Sequence, residues 1–271
     1  MRELALFAGA GGGILGGELL GWRTVCAVEF ASYPRRVLLA RQRDGLLPRF
    51  PIWDDVRTFD GEPWCGRVDI VSGGFPCQDI SAAGKGAGLE GDRSGLWSEM
   101  ARIVREVRPQ FVFVENSPML TSRGLGVVLG DLAEMGFNAE WCVLGARNVG
   151  APHQRDRIWV LASHPDRKRR WAQQERKPWR KDSAIFGHDG PKKHVADSHK
   201  IRFCNDREDP RNENGGPNHS CPKYGWWASE PDVGRVADGV ASRVDRLAAL
   251  GNGQVPQCAA AAFELLRKRI G

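Results

Sequence analysis

The sequence predicts an α/β fold built on a mostly parallel, doubly wound sheet. Three observations predict it. From residue 1 to about 163, short apolar runs alternate with helix-period segments. A glycine-rich turn follows the first apolar run, where such folds pass from strand to helix. Hydrophobic residues make up 41% and charged residues 27% of 271, enough for a large core.

In order, residues 4–7 form a short apolar strand and residues 24–30 are rich in β-formers. Residues 68–74, 111–116, 141–145 and 158–162 read as further strands. Helical patterns lie between them at 14–20, 33–43, 95–107 and 124–135, with Gly136 placed to stop the last. After Pro165 the pattern collapses. Residues 164–223 hold only five Leu, Ile, Val or Phe (Ile185, Phe186, Val195, Ile201, Phe203), too few for a core of their own. Order returns at 245–250 and in a terminal helix over 257–269, which is expected to pack back on the first part. The division is therefore 1–163, an insertion at 164–234, and a returning segment at 235–271.

Charge marks the insertion. Residues 164–223 carry fifteen Lys and Arg against nine Asp and Glu, which accounts for the whole net charge of +6. Residues 164–234 also hold Trp171, Trp179, Phe186, Phe203, Tyr224, Trp226 and Trp227. Basic residues interleaved with aromatics suit a polyanion, although a solvated basic loop has the same charge, and the paired tryptophans suit anchoring on the first domain. The seven cysteines are scattered, so no disulfide framework is expected and a reducing compartment fits. His199, Cys204, His219 and Cys221 match no standard zinc spacing, and no metal site is expected. No apolar run reaches about 18 residues and no signal-peptide pattern opens the chain, which predicts a soluble, intracellular protein.

Several short stretches carry chemistry. Gly9, Gly11, Gly12 and Gly13 permit a tight turn or the close approach of a ligand. Glu29 and then Asp54–Asp55–Val56 follow later strands, as ribose- and base-reading groups of an adenosine-type cofactor do, or as solvated acids do. Pro76 stiffens the approach to Cys77 at a strand's carboxyl end, which fits a nucleophile or an inert thiol. The strand at 111–116 stops at Glu115 and Asn116, either a turn or a proton-shuttling acid at the same sheet edge. Arg155 and Arg157 alternate with Asp156 and share one strand face, where they could hold a carboxylate, a base or a phosphate.

Taken together, LFAGAGGG, Glu29, DDV at 54–56, GFPCQDIS, RSGLW at 93–97, VENSP at 114–118, QRDRIWV at 154–160 and LGNGQVP at 250–256 resemble, in order and spacing, the bacterial and phage DNA cytosine-5 methyltransferases. The resemblance implies the Rossmann-like fold of S-adenosylmethionine-dependent methyltransferases. Residues 1–163 would form the catalytic and cofactor-binding domain, and 164–234 the target-recognition region. It implies S-adenosyl-L-methionine as cofactor and double-stranded DNA as partner. The protein would be a cytoplasmic monomer with no membrane partner, and any cognate restriction endonuclease would act beside it rather than as a subunit. Cys77 would attack C6 of a flipped cytosine, Glu115 would contact or protonate N3, and Asn116 would hold the Pro76–Cys77 corner. Arg155 and Arg157 would support the base and the glutamate. Phe7, Gly9, Gly11, Gly12, Glu29, Asp55, Val56, Pro76, Leu96 and Asn252 would form the cofactor site. Phe30 stands where the family often has Trp, and can still stack. Residues 78–95 suit a loop closing on DNA, with Lys85 and Arg93 meeting phosphates. An RNA cytosine-5 methyltransferase and a catalytically silent DNA-binding relative are the alternatives.

Overall fold

The structure, a computed structural model, describes residues 1–76, 95–167 and 242–270. Cys77, Lys85, Arg93 and nearly all of the 164–234 insertion lie outside the described residues.

Side-chain alternation fixes which face of the sheet each strand residue takes. Strand β1 (Arg2–Leu6) sends Leu4 and Leu6 to one side and Glu3 and Ala5 to the other. The remaining strands are β2 (Arg23–Val28), β3 (Ile52–Trp53), β4 (Ile70–Gly73), β5 (Phe111–Asn116), β6 (Asn138–Leu144) and β7 (Arg157–Ser163). They stand in the order β3-β2-β1-β4-β5-β7-β6. All pairings from β3 to β5 are parallel, and β7 runs antiparallel to both its neighbours. The expected mostly parallel sheet is the observed one, with a single reversed strand. The strand order turns back between β1 and β4, so a crevice opens beyond their carboxyl ends.

Helices cover both faces. Helix α1 (Gly12–Leu19) and α2 (Ser32–Arg43) lie on the Glu3 side. Helix α3 (Leu96–Val107) packs Met100, Ile103, Val104 and Val107 against Leu4, Val71 and Val112 on the other. The helix expected over 124–135 is α5 (Leu125–Glu134), and a short turn, α4 (Leu120–Arg123), precedes it across Gly124. Gly136 stops it as expected: at φ +83° it donates its N–H to Ala133 O, and Phe137 N–H reaches Leu132 O (2.9 and 3.0 Å).

The last two helices are α6 (Arg243–Asn252) and α7 (Pro256–Ile270). Helix α7 packs back on the first part, where Phe263 meets Trp22 and Phe113 edge to face at 4.7 and 5.6 Å. Small residues let α7 lie close to α1. A methyl at Gly16 would come within 2.7 Å of Ala259 Cβ and 2.9 Å of the Pro256 carbonyl. Gly16→Ala is accordingly expected to cost about 1–3 kcal/mol, read by urea unfolding, despite alanine's better helix propensity. An unchanged midpoint would show that the two helices separate freely.

One charged residue sits inside the α1 face. Glu3 is 1% exposed, and the Thr24 and Ser72 hydroxyls each donate to its carboxyl at 2.6 Å. Burial pushes that carboxyl up to about 7, against the pull of the two hydroxyls. Among the described residues no helix is long and apolar enough to cross a membrane.

Candidate active site

The glycine turn after β1 uses conformations that side chains avoid. Phe7 has φ +52°, Gly9 +55° and Gly11 +93°. Gly11 precedes α1, where a Cβ would touch Leu38 at 2.9 Å, whereas Gly9 faces open space. Phe7 packs partly buried on the α3-side core. Glu29, just past β2, ties this turn to its own strand: its carboxylate accepts from Gly9 N–H at 2.7 Å and Ala31 N–H at 2.8 Å. The next residue, Phe30, is 69% exposed, with the Arg57 guanidinium over its ring at 5.6 Å.

Asp55 and Val56 lie on the neighbouring loop. Asp55 accepts from Arg57, through its backbone N–H at 3.0 Å and its guanidinium at 2.8 Å, which holds the carboxyl below its usual range. Val56 is buried. The loop is pinned from α3: Arg102 donates to the carbonyls of Val56 (2.9 Å) and Phe59 (3.0 Å) and pairs with Glu99 and Glu106. Glu106 in turn accepts from Gly61 N–H at 2.8 Å. Leu96, the first residue of α3, is partly buried against the same core.

Glu115, Asn116 and Arg157 come together at the carboxyl ends of β4 and β5. Glu115 is 8% exposed, and Arg157 Nε lies 2.9 Å from Oε1. Burial raises its carboxyl above the ordinary range, and the charges of Arg157 and Arg155 and the Gln254 amide pull the other way. Burial prevails, so the carboxyl holds its proton to a higher pH than an exposed glutamate does. Asn116 Nδ2 donates to the Phe75 carbonyl at 2.9 Å, the carbonyl bonded to Pro76 nitrogen, while its Oδ1 accepts from Ser117 N–H. It therefore holds the approach to Pro76, itself exposed. A Cβ at Gly74 would fall 2.6 Å from Glu115 Oε2, so only glycine lets that corner pass the acid.

The two arginines part company. Arg157 meets Glu115. Arg155, at φ +44°, turns to the end of α6, where its Nη2 donates to the carbonyls of Leu250 (3.1 Å), Gly251 (2.7 Å) and Gly253 (2.5 Å). Asn252, the last residue of α6, is exposed beside them. The loop so held contains a residue of the 250–256 motif to which the sequence reading assigns no role: Gln254. Its backbone carbonyl would lie 2.2 Å from a Cβ at Gly12, and its side-chain oxygen 2.5 Å from one at Gly13. Gly12 thus faces this loop. The facing glycines were the one legible hint, because nothing in a single sequence pairs residue 12 with residue 254.

The other described thiols are not candidates for nucleophile. Burial pushes Cys26, Cys142 and Cys258 up to about 12, 11 and 12, and Cys65 is exposed. Among the described residues no group of three or more His, Cys, Asp or Glu could hold a metal ion.

Comparison with known proteins bears on this arrangement. The profile of the C-5 cytosine-specific DNA methylase family matches residues 1–235. The chain is 35% identical over 167 residues to type II methyltransferase M.CviJI of Paramecium bursaria Chlorella virus IL3A, covering 61% of this chain and 44% of that enzyme. It is 34% identical over 170 residues to type II methyltransferase M.HhaI of Haemophilus parahaemolyticus, covering 61% and 50%. The chain thus spans about half the length of the relatives it matches. The Entamoeba histolytica methyltransferase EhMeth superposes with a TM-score of 0.50 at 14% identity, over 60% of this chain and 52% of that one, a likeness of fold alone. With a seven-stranded sheet in which only β7 is reversed, and a family profile that takes in most of its length, the chain belongs to the C-5 cytosine-specific DNA methylase family.

Proposed function

We propose that the protein transfers a methyl group from S-adenosyl-L-methionine to C5 of a specific cytosine in double-stranded DNA, after flipping the base and through a covalent bond between Cys77 and C6. The observation that best supports this is the placement of a buried Glu115, its carboxyl raised by burial, directly beside the Gly74–Phe75 approach to Pro76.

The residues present fit the cofactor. Gly9 leaves open space, Glu29 stands over the turn, and Phe30 offers an exposed ring face near the pinned Asp55–Val56 loop. Phe7, Gly11, Gly12, Pro76, Leu96 and Asn252 complete the proposed binding set. When bound, the cofactor supplies an electrophilic methyl group on its sulfonium. The protein's own residues do the rest. The Cys77 thiolate adds to C6, forming the S–C6 bond and pushing electron density toward C5. Glu115 gives its proton to N3 or shares it there, so that charge does not accumulate on the ring. Arg157 then faces the carboxylate left behind. After C5 has gained the methyl group it loses its proton to a base, the S–C6 electron pair returns to sulfur as the thiolate departs, and N3 returns its proton to the Glu115 carboxylate. Asn116 fixes the corner from which Cys77 acts. The insertion at 164–234, outside the described residues, is assigned to target recognition on its basic charge and aromatics. We place the protein in the cytoplasm as a monomer, with any cognate endonuclease acting separately.

The test is methyl transfer from labelled S-adenosylmethionine to duplex DNA, with duplex RNA as competitor. Label at cytosine C5 of DNA, and its loss in Cys77→Ser with cofactor binding retained, is the expected result. Label on RNA alone would favour the RNA enzyme. No label with either, together with no covalent trapping on 5-fluorocytosine DNA, would leave a silent DNA-binding relative.

A further inference from the structure

Gln254 is threaded between the three parts of the proposed site. Its backbone closes on Gly12, and its side-chain amide lies against Gly13 and Gly74, 3.1 Å from where a Gly74 Cβ would stand. That amide nitrogen points at Glu115 Oε2 from 3.4 Å. The separation is long for a hydrogen bond, in the range that commonly tightens once a substrate is held. Glu115 is therefore addressed from two sides, by Arg157 on Oε1 and by Gln254 on Oε2. Gln254 itself has little freedom, because the carbonyls just before it converge on one guanidinium nitrogen of Arg155. The charged and titratable groups facing Glu115 are Arg157 from β7, Arg155 from the turn before it, and the Cys258 thiol from α7.

We infer that Gln254 is a positioning residue for Glu115, seated by Arg155: its amide fixes the orientation of the carboxyl from the Oε2 side. This rests on the reading of Glu115 as the acid of methyl transfer, but part of it is independent of activity. A donor on Oε2 steadies the carboxylate that remains once the proton has gone to N3. A neutral amide suits that role, since a second full positive charge beside Arg157 would keep Glu115 ionised at all times. The arrangement also gives Arg155 a second part beyond its charge. It holds the loop that carries the amide.

The experiment is a titration of the Glu115 carboxyl by ¹³C NMR in the ligand-free full chain, comparing wild type with Gln254→Leu and with the volume-matched Gln254→Met. Loss of the donor is expected to raise the midpoint by about half a pH unit or more. Arg155→Met should raise it in the same direction, because it removes a nearby positive charge as well as the seat of the loop. If methyl transfer is active, kcat for Gln254→Leu should fall about tenfold with the cofactor KM nearly unchanged. An unmoved Glu115 midpoint in a folded Gln254→Leu or Gln254→Met protein overturns the inference, even if activity is lost, because it reduces Gln254 to loop packing. A moved midpoint in a protein that methylates nothing upholds the placement and rejects the methyl-transfer reading instead.

Discussion

Glu115→Gln is expected to slow methyl transfer by about 10²–10⁴-fold while leaving cofactor affinity within a few-fold of wild type. The amide fills the same space and can still face Gln254, so packing at Gly74 is preserved. What it lacks is a transferable proton. The wild-type carboxyl is buried and held above its ordinary range. In the intact site the protonated fraction is large at acidic pH and declines as pH rises through that elevated midpoint. The wild-type rate should therefore show an alkaline limb set by Glu115, and the residual rate of Glu115→Gln should lack it. The pH profile of single-turnover transfer to duplex DNA checks both. An amide variant of undiminished rate, or one that keeps the wild-type limb, would remove Glu115 from the chemistry.

The second large effect concerns stability. The Glu3 carboxyl keeps its proton to about pH 7 in the folded chain, against 4.5 as the ordinary value. Below 4.5 folded and unfolded forms are both protonated, and the contribution of this residue is complete. Between 4.5 and about 7 the unfolded chain has released a proton that the fold retains, so stability declines as pH rises. At about 1.4 kcal/mol per pH unit, the loss reaches about 3 kcal/mol above pH 7. Glu3→Gln carries no charge to bury. Urea unfolding at pH 5 and pH 8 should show wild type losing about 3 kcal/mol more than the variant across that interval. The variant should be no less stable than wild type at pH 8, even though its amide serves Thr24 and Ser72 less well at pH 5. Parallel stability curves would mean that Glu3 is ionised throughout or is open to water.

Much of this architecture could be read from the chain because strands and helices announce themselves locally. Val112, Val114 and their neighbours form an unbroken apolar run of the kind buried on both faces, and Gly136 ends its helix at a positive φ. The reversal of β7 could not be read, since an apolar run such as residues 158–162 looks the same in either direction. Pairs set by tertiary packing were equally hidden. Arg157 meets Glu115 as its place in the motif implied, but Arg155, two residues away, faces a helix end instead, because φ +44° swings its backbone out of the strand before β7 begins. Asp55 was legible as an acid after a strand, whereas its attachment to Arg57 and the grip of Arg102 on the adjoining carbonyls depend on side-chain reach. Glu3 gave no sign at all: a glutamate in a terminal strand reads as solvent-facing until the sheet buries it.

The docking of residues 250–254 into the glycine turn also has a temporal meaning. Synthesis proceeds from the amino end, so the turn, the acid and both arginines exist before the segment that Arg155 grips has left the ribosome. A growing chain can assemble the central sheet, yet its acid has no second support until 139 further residues have followed Glu115.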